Sequence, residues 1–124
     1  MNRPYASLGI ILVLTSCSGS VDVDAAASLP GTWECDDGIV ITFKPNGKYE
    51  WRVPPDDHVT IHVENNDHIR MNDDGGHSIF DDWRLSANNL EMDMLGEADR
   101  YSLSFMSESK FRMDGPDALS CQRQ

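Results

Sequence analysis

Basic residues are scarce in this chain. Ten Lys and Arg stand against 21 Asp and Glu, for a formal net charge of −11 over 124 residues. Phosphate binding needs clusters of basic side chains, so a nucleic-acid partner is not expected. An acidic surface repels anionic headgroups and favours basic partners. Histidine is also sparse, with four residues and none at His-Glu-x-x-His spacing. The three cysteines form no Cys-x-x-Cys pair, which removes the usual structural zinc frame. The nine glycines build neither a phosphate cradle nor a Gly-x-Ser-x-Gly nucleophile elbow. The ligand order of a calcium-binding EF-hand loop is missing too. With no ordered catalytic constellation, the expectation is a protein that is not an enzyme and takes no cofactor or metal.

Long hydrophobic runs are missing as well. The apolar stretch Leu8–Leu14 is too short to cross a bilayer, which takes about 20 apolar residues. Arg3 is the only charge before it, and a short positive head followed by an apolar run is the layout of a signal peptide. The run ends in Leu14-Thr15-Ser16-Cys17, which resembles the lipobox of bacterial lipoproteins. In that family the cysteine is acylated and becomes the first residue of the mature chain. The resemblance implies a signal over residues 1–16 and a lipid on Cys17, including an acyl group such as palmitate on its amine. With Ser18 following, it implies the periplasmic face of the outer membrane in a two-membrane bacterium. The alternative is an ordinary secretory signal cut near Asp24–Ala27.

Removing Arg3 with the signal leaves nine basic residues against 21 acids, a formal charge of −12. Residues 17–30 contain the small and acidic stretch SGSVDVDAAASLP and read as a tether, with one packed domain over residues 31–124. So short a domain has a small core and benefits from a covalent staple. Once Cys17 is set aside, Cys35 and Cys121 remain and bracket nearly the whole domain. In an exported chain they are expected to pair.

Period-two patterning dominates. Ile39, Ile41 and Phe43 share one face, Pro45-Asn46-Gly47 is a hairpin signal, and Tyr49, Trp51 and Val53 share the next inner face. Pro54 and Pro55 break the chain. HVTIHVE predicts a strand with Val59, Ile61 and Val63 inward, and His68–Met71 a weaker one. SIFDDWRL predicts a strand with a bulge or bend at Asp81 and Asp82. LEMDML, YSLSF, KFRMD and ALSCQ complete the series, a strand being favoured over a helix across LEMDML because its apolar residues alternate with acids. In the outermost segments Trp33 shares a face with Cys35, and Leu119 with Cys121, so both sulfurs point inward. The expected fold is all-β: a small antiparallel barrel of about eight strands, closed by a disulfide between first and last strands.

The segments GTWEC, ITFKPNGKYEW, DDWRLSANNLEM, YSLSFM and FRMDGPDALSCQR resemble the small lipocalin-like domains of bacterial lipoproteins, over about residues 29–123. That resemblance implies the barrel but no single function. A fainter one is to the membrane-bound lipoprotein inhibitors of c-type lysozyme, through WEC and LSCQRQ. The Ser- and Gly-rich inhibitory loop of that family has no counterpart here.

Three functional classes follow. In the first, the domain binds a basic envelope protein, as an inhibitor or immunity protein against a cell-wall hydrolase would. Loops carry recognition more often than barrel walls do. The acidic turn-like stretches PPDDH and NDDGGH therefore nominate Asp56, Asp57, Asp73 and Asp74, with His58 and His77 beside them. In the second, a lipocalin-like carrier holds a small apolar ligand or lipid against Trp33, Trp51 and Trp83, which core packing alone would also explain. In the third, the domain is a structural accessory of an envelope complex.

Overall fold

The computed structural model describes residues 23–56 and 65–124. Among the described residues there are nine strands: β1 (Gly31–Cys35), β2 (Val40–Phe43), β3 (Lys48–Val53), β4 (Ile69–Met71), β5 (His77–Ser86), β6 (Asn89–Met94), β7 (Glu97–Ser107), β8 (Lys110–Asp114) and β9 (Ala118–Arg123). Every pairing among them is antiparallel. Eight strands close a ring in the order β1-β2-β3-β5-β6-β7-β8-β9, because β3 pairs with β5 and β9 returns to β1. The ninth, β4, lies along β5 where β6 does not reach. This closed barrel is the architecture expected from the sequence, and it is consistent with a lipocalin-like fold.

Cys35 and Cys121 are directly opposite each other across β1 and β9, and a disulfide joins them. The inward alternation expected for these strands is observed. Trp33, Leu119 and Cys121 are buried, as are Ile41, Phe43, Tyr49 and Trp51. On the far wall Leu90, Met92, Tyr101, Leu103 and Phe105 are buried. The strand form of the LEMDML segment holds. The predicted HVTIHVE strand, with Val59, Ile61 and Val63, lies outside the described residues.

Two features depart from the sequence reading. The first concerns SIFDDWRL, which runs through Asp81 and Asp82 as one ten-residue strand without a break. Instead of bending, β5 changes partner there, from β3 over residues 77–82 to β6 over residues 83–86. Alternation then places Asp81 on the inner face between Ile79 and Trp83.

The second concerns the stretch expected to be tether, which begins outside the described residues. Its last part is seated on the barrel. Asp24 caps a short helix, α1 (Ala25–Ser28), by accepting the Ala26 N–H. Ala25 and Leu29 are buried, Leu29 completely. The Trp33 indole N–H donates to the Leu29 carbonyl at 2.8 Å. Arg123 donates through its guanidinium to the carbonyls of Ser28 and Pro30.

The strand directions define two ends. One holds α1, the β2–β3 turn next to Gly31, and the β7–β8 turn, whose Ser109 carbonyl accepts the Arg123 N–H. The other holds the β1–β2 turn, the loop after Val53 and the β4–β5 turn.

Candidate functional site

The loop after β3 and the β4–β5 turn are in contact. Val53 pairs with His77, so both segments leave the sheet at the same point. Gly76 is pressed against the first of them: a Cβ there would sit 2.2 Å from the Val53 carbonyl oxygen. Only glycine allows so close an approach. Pro54 in turn covers Gly38 of the β1–β2 turn, where an added Cβ would be 3.1 Å from the proline ring. Three turns are thereby packed together at one end, and Asp36, Asp37, Asp56, Asp73 and Asp74 are all exposed on them.

These acids are not equivalent. Asp74 accepts the Gly76 N–H at 2.8 Å and an Arg52 N–H at 3.1 Å. Those bonds hold its carboxyl below the usual carboxylate range, the Gly76 N–H contributing most. Asp74 therefore shapes the turn as well as charging it. Asp36 accepts the Ser120 N–H at 2.9 Å and ties the β1–β2 turn to β9. Asp56 and Asp73 stand exposed on the two nominated loops. Of the nominated residues, Asp57 and its neighbour His58 lie outside the described residues. His77, expected in the turn, is the first residue of β5.

The tryptophans sit in the wall and core. Trp33 is fully buried and meets Phe111 edge-on at 4.6 Å between ring centroids. Trp51 is 7 % exposed. Trp83 is half-buried, packs on Phe43 at 5.5 Å and donates its indole N–H to the Lys44 carbonyl. None of the three lines the surface cleft of about 340 Å³ between β5, β6 and β7. None lines the one of about 620 Å³ beside the β6–β7 turn.

One cluster was not anticipated from the sequence. Asp81, on the inner face, lies opposite Tyr49, and its carboxylate is 3.5 Å from His68 Nδ1. Oxygens of Asp81, Asp82 and Asp93 lie within 4.8 Å of one another, the spacing of a group that could ligate a cation. Two of these carboxylates already face cations: Lys48 on Asp82 at 2.5 Å and Arg84 on Asp93 at 2.7 Å. The Arg84 guanidinium holds the Asp93 carboxyl below its ordinary range. The Tyr49 hydroxyl donates to the Asp93 carbonyl, and burial, then the Asp81 charge, pushes its pKa upward. Strict alternation through Ile79, Asp81 and Trp83 was the sequence signal for this inward acid.

No protein-family model, curated protein or solved structure matches the chain. The functional reading therefore rests on the residues themselves.

Proposed function

We propose that this chain is a lipid-anchored envelope protein with a lipocalin-like barrel, whose acidic end binds a basic protein partner. The observation that carries this reading is the contact between the loop after Val53 and the turn at Asp73–Gly76. Loops held against each other offer a preorganised surface, and preorganisation limits the entropy lost on binding. Exposed acids at that end would speed encounter with a cationic partner. A cell-wall hydrolase inhibitor or immunity protein fits this description. The carrier reading draws less support, because Trp33 and Trp51 are packed among core side chains.

The test compares the soluble domain with a variant carrying Asp56, Asp57, Asp73 and Asp74 changed to Asn. Both are used to capture partners from envelope extract at low and moderate salt, with folding verified by circular dichroism. The expected outcome is weaker capture and a shallower salt dependence in the variant, because exposed pairs are each worth only about 0–1 kcal/mol but act together. Unchanged capture and unchanged salt dependence would reject the acidic surface. A lipid recovered by organic extraction of the purified domain would favour the carrier instead.

A further inference from the structure

The start of the fixed chain and the acidic turns occupy opposite ends of the barrel. β1 begins at Gly31, beside Phe43 and the β2–β3 turn, and ends at Cys35, where the acidic β1–β2 turn begins. Before Gly31 the chain is not loose. Val23 packs against the core, Leu29 is fully buried, and Arg123 holds the Ser28 and Pro30 carbonyls. Residues 23–30 are thus seated at the Trp33–Arg123 end of the barrel.

Charge follows the same axis. The three packed turns at the far end expose Asp36, Asp37, Asp56, Asp73 and Asp74, with Arg52 and Arg70 as basic residues beside them, both opposite Ser78. Around the near end stand Lys44, Lys48, Lys110 and Arg123, against Asp24, Asp67, Asp82 and Glu108, with Lys110 also close to Glu34 and Asp36, so this end is balanced where the far end is acidic. Lys48 is paired with Asp82. Lys44 and Lys110 have no acidic side chain within ion-pair distance among the described residues.

We infer that the barrel stands on an anionic membrane surface by its Trp33–Arg123 end and turns the Asp73 end away from it. The inference rests on the anchoring at Cys17 proposed above. Six peptide steps separate Cys17 from Val23, a reach of at most about 21 Å when fully extended. Inverting the barrel would require that leash to run its whole height. β3 alone spans about 17 Å, with turns beyond both of its ends. The field acts in the same sense. Anionic headgroups attract the lysines of the near end and repel the aspartates of the far end within a Debye length. The surface proposed for a partner is then the one presented to the periplasmic space.

The test uses the full lipidated protein in vesicles of phosphatidylcholine and phosphatidylglycerol. Cys17 and the Cys35–Cys121 pair are occupied, so Pro45→Cys and Asp73→Cys each supply a single free thiol at an exposed turn. Each is labelled with a fluorophore, and quenching by a headgroup-spin-labelled lipid is measured. Quenching at position 45 is expected to exceed that at position 73 several-fold. Equal quenching at both positions, or stronger quenching at 73, overturns the inference. Vesicle flotation is run alongside. Protein that fails to float overturns the anchoring itself, whereas protein that floats with the wrong quenching pattern overturns only the orientation. Melting curves of both variants, matched to the parent, verify that the labels report on folded protein.

Discussion

The guanidinium carbon of Arg123 lies 4.4 Å from the centre of the Trp33 ring. The two residues are paired across β9 and β1, so the stack is built into the seam that closes the barrel. The same guanidinium bonds the carbonyls that end α1. One side chain thereby joins the seam, the core tryptophan and the N-terminal segment.

Arg123→Ala is expected to lower stability by about 2–3 kcal/mol, combining a cation–π contact with charge-assisted hydrogen bonds. It should also expose residues 24–30 to protease. Arg123→Lys should recover only part of the loss, because an ammonium cannot both stack flat and serve two carbonyls. Urea unfolding and limited proteolysis check both statements.

The disulfide spans 86 residues of sequence. Replacing Cys35 and Cys121 by Ala should cost about 2–5 kcal/mol, the range for loss of a native bridge. Denaturant midpoints of the two forms measure it. Non-reducing peptide mapping should recover the linked pair from the parent protein.

Gly76→Ala places a methyl group against the Val53 carbonyl. Backbone on both sides leaves little room to yield, so a loss of about 1–3 kcal/mol or more is expected. Partner capture should fall with it, since the substitution pushes apart the two loops proposed to bind. A variant with unchanged melting temperature would contradict the close approach.

Stability should depend on pH at both extremes. Burial pushes the Tyr101 hydroxyl up to about 12, and Tyr49 is shifted in the same direction. A raised folded-state pKa gives stability that is complete below the unfolded value near 10 and lost as pH rises through the folded value. Unfolding free energy should therefore fall between about pH 10 and 12, and Tyr101→Phe should flatten that decline. Asp74 and Asp93 are shifted downward, Asp74 first by the Gly76 N–H and Asp93 by Arg84. Their contribution is present above the usual carboxylate range and is lost as pH falls through their lowered values. Unfolding followed from pH 6 to pH 2 in the parent and in Asp74→Asn measures the first of these.

The barrel was legible because its walls follow a single rule. Each strand alternates apolar inner residues with polar outer ones, and in β7 Tyr101, Leu103 and Phe105 stand out against serine. The pairing of Cys35 with Cys121 followed from the same parity. What escaped notice broke local expectation for a tertiary reason. The bend expected at Asp81 and Asp82 is absent because β5 runs on through them, with Asp81 opposite Tyr49 and its carboxylate 3.5 Å from His68 Nδ1. The stretch Asp24–Pro30 looked like tether because its residues are small. Its order comes from Leu29 entering the core and from Arg123, almost a hundred residues later. Contact between the two acidic loops was equally invisible, since it depends on Gly76 meeting a carbonyl that sequence spacing does not locate.

The bridge between β1 and β9 also governs what happens to a cut chain. Cys35 precedes every turn of the barrel, and Cys121 follows them all. A protease that nicks any one turn between them leaves two fragments still tied covalently at the seam. The strands on either side of the nick remain paired in the ring. Damage to a recognition loop would then abolish its shape without releasing either half, and gel electrophoresis would reveal the break only after reduction.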